Sequence, residues 1–476
     1  MLNRGNPQQS FVDLEILSRM IPSDHPLVAI HKSVDFSFVT NAVADLYSAT
    51  EGRPSYPPEV LFRVLFLEIW ANLSDVQVCR ELQYNLLYRW FCGFRFDDPV
   101  PDSSTLVVFR KRLGEERFKE LLRLTVEKAK MKGLVSDKWL IVDGTKIEAD
   151  AAIRNNLELV RESRKRLLKQ LAKEAPEKAA ELKEYGGPLN DSNYATRDEL
   201  LAAEVARGRE LLQKIDELDD SPRLAAEKDL TSKMLSGSCG IASLSDPDAR
   251  WGFKRKMKPF LGYKAHISCD ENGIVTAARV EAANESEIEQ LESLVEEAKD
   301  AGVEPVRLAA DKGYDSDRVR KRLGKSGIRP YIARRSKPTA KRLGEFTYKA
   351  TADGVIATCP CGVSSTNASP HKKGGFIVYW SERDCTRCVN RDACIGKRTR
   401  KVLYINPSLE TGRPRGMKAA MKIRKAIERV FGDAKKWHRM ERARYRSLAR
   451  VAIQVILTMI VLNAKKLARQ LHFASG

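Results

Sequence analysis

Two short apolar runs constrain this chain more than any other feature. KWLIVDG (138–144) and PVRLAADKGYDS (305–316) each read as a buried strand that carries an aspartate, Asp143 or Asp311, at its end. Between them, FLGYKAHISCD and GIVTAARVEAA meet at ENG and predict a β-hairpin, and SEIEQLESLVEEAKDAG predicts an amphipathic helix. GIRPYIARR follows as one more strand. Strand, hairpin, helix and strand make an α/β layer. Its residues fall in two blocks, 136–152 and 241–335, with other sequence inserted between them.

The insertion, 153–240, is rich in Glu, Lys, Arg, Leu and Ala, with ESRKRLLKQLAKEAPEKAAELKEYG as its clearest part; this composition predicts a solvated helical arm rather than core. Residues 1–135 read as a helical domain. YPPEVLFRVLFLEIWANLSDVQVCRELQYNLLYRWFCGF has apolar residues at helical spacing, broken at ANLSD, where Ser74 is placed to cap a second helix. A third start lies at PDSSTLVVFRKRLG. Helices joined by short turns suit a helix-turn-helix-like DNA-binding domain and a plain helical bundle equally. Residues 336–415 are β-rich and bear cysteines, and 416–476 return to helix.

The 476 residues carry a net charge of +20, spread over most of the chain. The natural counterpart is a polyanion, of which DNA or RNA is the commonest. Six histidines leave little for general-base chemistry of the Ser-His-Asp kind. The longest apolar run, VAIQVILTMIVL (451–462), is too short for a bilayer and contains Gln454, so it predicts a buried helix and no membrane partner. The N-terminus lacks the charged start, apolar stretch and cleavage site of a signal peptide. The expected location is the cytoplasm, with the nucleoid.

RKAIERVFGDAKK (424–436) puts Arg424, Glu428 and Lys435 on one helix face while Ile427, Val430, Phe431 and Ala434 point elsewhere. If the fold gathered Asp143, Asp311 and Glu428, the three carboxylates would repel one another unless cations neutralised them. Their oxygens are hard ligands that suit Mg²⁺ or Mn²⁺, and two such ions can activate a water or a 3′-hydroxyl on one side of a phosphodiester and stabilise the leaving oxygen on the other. Taken singly, each acid is ordinary turn or surface chemistry, and Glu beside Lys or Arg on a helix is routine pairing.

Five of the nine cysteines cluster, Cys359 and Cys361 in CPCG and Cys385, Cys388 and Cys394 in CTRCVNRDAC. The spacing suits a Zn²⁺ held by Cys385, Cys388, Cys394 and one of Cys359 or Cys361, with reduced free thiols as the alternative. Cys79, Cys92, Cys239 and Cys269 read as isolated buried residues. Trp380, in FIVYWSERD, is open to two readings, a base-stacking residue or a packing residue.

The order of these segments resembles a DDE transposase of a bacterial insertion sequence, in the group whose last acid lies in a Y-x2-R-x3-E-x6-K signature. Arg424, Glu428 and Lys435 fit that spacing, IVDGTKIEADA resembles the segment of the first acid and LAADKGYDS that of the second. RPSYPPEVLFRVLFLEIW, RWFCGF and PDSSTLVVFRKRL are similar to the N-terminal domain of these proteins, and DPDARWGFKRKMKPFLGYKAHI to the return to the catalytic sheet. The resemblance implies an RNase H-like α/β catalytic domain, with Asp143, Asp311 and Glu428 as a Mg²⁺ or Mn²⁺ triad and Arg424 and Lys435 on DNA phosphates. It also implies double-stranded DNA partners, the terminal inverted repeats and target DNA, and a dimer on DNA. The basic stretch HRMERARYRSLAR would extend the DNA track through Arg442, Arg444 and Arg446. Met421 stands where the signature has Tyr and offers phosphate no hydrogen bond. Two other readings stay open, a catalytically silent or domesticated DNA-binding derivative and another RNase H-like nuclease such as a resolvase.

Overall fold

The computed structural model describes residues 1–3, 15, 19–48, 51–52, 54–218, 221–237, 240–255, 258–333, 346–351, 354–371, 375–405 and 416–474. A six-stranded sheet positions the site. β1 (Trp139–Glu148) lies at its centre, antiparallel to β3 (Lys258–Cys269) on one side and parallel to β5 (Arg307–Ala310) on the other. β6 (Arg329–Ile332) continues in parallel beyond β5. The far side of β3 takes two strands end to end, β2 (Arg250–Arg255) against its first half and β4 (Val275–Ala282) against its second. The predicted hairpin at ENG is the β3–β4 connection, and Asp270 shapes it by accepting the Ile274 N–H at 2.7 Å.

The N-terminal helices end and begin where the sequence places its punctuation. Ser74 caps Asp75–Tyr84 in a capping box with Gln77, and Asp102 caps the helix that starts at Ser103. That helix, Ser103–Met131, breaks at Gly114, the end of FRKRLG, where φ is +63°. Buried residues of this helical segment and of the sheet form one continuous core, from Leu27 through Phe66, Phe91 and Phe118 to Ile141, Ile267 and Leu294.

The last helix, Leu448–Ala474, closes that core. Its 27 residues far exceed the apolar run read from sequence, and by length and composition it could cross a membrane. It is buried instead, with 89% of its most apolar stretch inside the protein. Polar groups within it are used: Asn463 bonds both backbone atoms of Val275 at 2.7 and 2.8 Å, and Gln454 bonds the Arg444 N–H and the Arg442 carbonyl.

The insertion between β1 and β2 is helical, as its composition predicts, and has a core of its own. Leu167, Leu171, Leu182, Leu211 and Leu224 pack together among Asn156–Glu174, Arg197–Lys214 and Pro222–Ser236. Fully buried Arg164 pairs with fully buried Glu204, which also accepts Arg161 Nε at 2.7 Å. The β-rich region forms two three-stranded sheets, one of Thr347–Ala350, Val355–Thr358 and Ser364–Ser365, the other of Ala368–Pro370, Phe376–Tyr379 and Val402–Ile405. Trp380 is 2% exposed there and donates its indole N–H to Val363, so it packs the sheets together and presents no face to a base.

A buried polar network ties the N-terminal helices to the chain after the Glu428 helix. Arg110 reaches Glu68 at 3.0 Å and Asp75 at 2.7 Å, while the Tyr445 hydroxyl donates to Glu68 at 2.6 Å. Arg110→Ala leaves two carboxylates desolvated without their cation, a change that costs about 3 kcal/mol. Urea unfolding monitored by circular dichroism should show that loss, whereas the exposed pair Lys233–Asp229 should be removable at under about 1 kcal/mol.

Candidate active site

Parallel register creates the site. Val142 of β1 lies opposite Ala310 of β5, so the next residues, Asp143 and Asp311, emerge side by side. Asp143 is still within the sheet, opposite Ile267 of β3, and one of its oxygens accepts the Gly144 N–H at 2.9 Å. Asp311 has left its strand and begins the short turn Lys312–Tyr314, which leaves its side chain 47% exposed.

The third element is the helix Lys425–His438. Its apolar face buries Ile427, Val430, Phe431 and Ala434 against β1 and β3, as the sequence spacing predicts. Glu428 lies in its first turn and Lys435 and Lys436 in its last, the arrangement that the helix dipole favours. Arg424, at the N-cap, points back to the sheet: its Nη2 is 2.8 Å from Asp143 Oδ2 and its Nη1 3.8 Å from Asp311 Oδ1. A single guanidinium thus neutralises both aspartates. Burial raises the Asp143 carboxyl above its ordinary value, against the opposing charge of Arg424.

Sequence reading expects Arg424 on a DNA phosphate; in the structure it bridges the acids, with Met421 Sδ 4.0 Å from its Nη1. Glu428 is exposed, one helical turn from Arg424, and half-buried Lys435 lies two turns further on. Among the described residues, no three His, Cys, Asp or Glu side chains form a group that could hold a metal ion. What the fold brings together is therefore the pair Asp143–Asp311.

The same limit applies to the cysteines. Cys359, Cys361, Cys385, Cys388 and Cys394 line one cavity of about 430 Å³, but only Cys361 and Cys388 have sulfurs in contact, at 3.3 Å. Cys385 Sγ instead accepts the Lys401 N–H at 3.3 Å. The fold thus brings the five clustered thiols to one cavity without grouping three of them as ligands. Cys79, Cys92 and Cys269 are buried as expected, and Cys239 lies outside the described residues.

The three arginines expected to extend a DNA track divide into two kinds. Arg442 and Arg446 are 66% and 55% exposed and sit around Asp150. Arg444 is half-buried and is spent on the N-terminal helices, donating to the Leu73 carbonyl at 2.7 Å and to Asn72 Oδ1. Neutral His438 joins it there through Ile69, at 2.8 Å; burial lowers that imidazole's pKa to about 4.

Sequence reading also misses a buried dyad beneath the acids. His266 Nδ1 and the Tyr314 hydroxyl are 2.8 Å apart, and a methyl group at Gly144 would lie 3.1 Å from the imidazole and 3.3 Å from the hydroxyl. Burial holds His266 neutral, its pKa lowered to about 4, and raises the Tyr314 hydroxyl well above the usual range, helped by Asp143, Glu287 and Asp311. Tyr314 belongs to the motif DKGYD, so the signal was on hand without a partner.

An antiparallel meander, β4–β3–β1, continued by parallel β5 and β6 and with paired carboxylates in the middle of β1 and just past the end of β5, is an RNase H-like arrangement. Residues 220–464, more than half the chain, match the family model described as Transposase DDE domain, and residues 15–112 match Transposase domain (DUF772). The chain belongs to the DDE transposase family. A similar protein from Rhizobium meliloti, described as Uncharacterized protein ORF8 in nfe locus, is 34% identical over 85 residues, which cover 17% of this chain and 41% of that protein. The chain thus spans about two fifths of that relative's length. No solved structure matches.

Arg424→Ala should remove the countercharge shared by the two aspartates and lower stability by about 1–2 kcal/mol. A double-mutant cycle with Asp143→Asn, read by urea unfolding, should show coupling of the same sign.

Proposed function

We propose that this protein is a transposase that cleaves double-stranded DNA at the ends of an insertion sequence and joins the freed 3′-hydroxyl ends to target DNA. The observation that carries this reading is the Asp143–Asp311 pair in register on β1 and β5, within a chain of the DDE transposase family. A divalent cation, Mg²⁺ or Mn²⁺, supplies activation of the attacking water or 3′-hydroxyl and stabilisation of the leaving oxygen when bound. The donor set fits such an ion: two adjacent carboxylates are hard ligands, and the positive charge already held between them marks a locus for a cation. Asp143 and Asp311 would hold it, completed by Glu428 from the helix Lys425–His438.

The chain's own residues do the rest. Arg424, beside both aspartates, would be placed to hold a phosphate oxygen of the DNA, and Lys435 to neutralise a neighbouring phosphate. Arg442 and Arg446 continue the basic track past the end of β1, where the backbone of Glu148 pairs with the strand-like stretch around Arg442. Met421 gives the signature's Tyr position no hydrogen-bonding group, so a DNA end is held there by charge and shape. Two ends drawn together call for two copies of the chain. With both aspartates and Glu428 present, nothing in the molecule favours a silent DNA-binding derivative.

Asp143→Asn, Asp311→Asn and Glu428→Gln should each lower Mg²⁺-dependent nicking of the element's end DNA by about a thousandfold or more, while fluorescence anisotropy shows DNA affinity within about threefold of wild type. Loss of DNA binding in all three variants, or nicking that survives in them, would sink the catalytic assignment.

A further inference from the structure

The β2–β3 hairpin carries a feature that the acid site does not use. β1 ends at Glu148, opposite Gly262 of β3, and Gly262 also faces Arg250 of β2. From there Lys258–Leu261 reach beyond the end of β1, paired with β2. The extension leaves the sheet at the end toward which β1 and β5 deliver their aspartates. Its base is about 17 Å from Asp143, five residues along β1.

Strand alternation puts Trp251 and Phe253 on one face of this extension and Gly252 on the other. Gly252 is buried; a side chain there would strike Ala283 and Phe260, which fixes how the hairpin sits. Trp251 is 39% exposed and Phe253 64% exposed, with exposed Pro259 directly across from Phe253. Buried Leu261, opposite Trp251, supports the base of the strip. From 250 to 264 the sequence has six Lys or Arg and no Asp or Glu. Lysines alone are explained by protection of an edge strand, but that purpose is served badly by two solvent-facing rings.

We propose that this face is a stacking platform for unpaired bases of the DNA strand leaving the acid pair. Rings that stack on bases of any sequence, in a stretch of sequence rich in Lys and Arg and without Asp or Glu, are the elements of single-strand recognition. A fully paired duplex offers those rings no base face. The proposal rests on the transposase reading for its location beside the acids, and commits to DNA over a second copy of the chain because of the unbalanced charge.

The test uses the full chain and a fluorescein-labelled oligothymidylate, with a duplex of equal length as comparison. The variant Trp251→Ala/Phe253→Ala should bind oligothymidylate about ten- to a hundredfold more weakly. Its duplex affinity should stay within about twofold, with an unchanged slope of log affinity against log salt. Trp251→Tyr/Phe253→Tyr should retain most single-strand affinity, which separates lost stacking from a disturbed hairpin. Wild-type affinity in the alanine variant, or equal losses in the alanine and tyrosine variants, would overturn the proposal. So would a fall in sedimentation mass without any change in DNA binding, since the face would then join two copies. The assay requires no cleavage, so failure here and failure of nicking in the acid variants are read independently.

Discussion

The parallel pairing of β1 with β5 is the constraint on which the rest of the molecule depends. It places two carboxylates on neighbouring strands at the same level, in the mouth of a sheet whose interior is apolar. Two ionised carboxylates about 5 Å apart repel by roughly 3 kcal/mol at an effective dielectric near 20, before screening by water. Arg424 offsets that repulsion from the start of the next helix. The fold thus holds the two acids together through one shared countercharge.

Holding Arg424 in place requires that its helix be fixed at both ends. The apolar face of Lys425–His438 anchors it on β1 and β3, and His438 and Arg444 anchor its far end to the C-terminus of the helix Pro58–Trp70. The Glu68–Arg110–Asp75–Tyr445 network lies in the same joint. Residues that read as a basic DNA track thus serve partly as mortar between the helical segment and the sheet. A buried joint of this polar kind specifies one docking geometry, since a shifted register would leave charges unpaired.

Local signals were legible and distant partnerships were not. KWLIVDG and PVRLAADKG announced strands and acids, Ser74 announced a cap, and the spacing of Ile427, Val430, Phe431 and Ala434 announced a buried face, because each depends on neighbours within a few residues. Arg424 was legible as a cation but not as the partner of Asp143, which is 281 residues away in the chain. Arg444 was misplaced for the same reason. The cysteines match a metal-binding spacing, and the fold brings all five to one cavity, a convergence that spacing along the chain does not by itself specify. Trp380 and Trp251 carried no sequence mark to tell them apart; the topology buries one at a sheet interface and leaves the other on a projecting hairpin. The insertion at 153–240 is helical and largely exposed, as its composition predicts, and the small core it also holds is not legible because leucines spread over several helices reveal a shared core only once those helices meet.

Mapping the bound cation on the polypeptide tests the central claim most directly. Fe²⁺ substituted for Mg²⁺, with ascorbate and peroxide, generates radicals that cut the backbone beside the ion, and mass spectrometry locates the cuts. The account predicts cleavage at three places distant in sequence, around Asp143, Asp311 and Glu428, suppressed by excess Mg²⁺ and absent in Asp143→Asn. Cleavage confined to other segments, the cysteine-bearing region for example, or unchanged by Asp143→Asn, would contradict it.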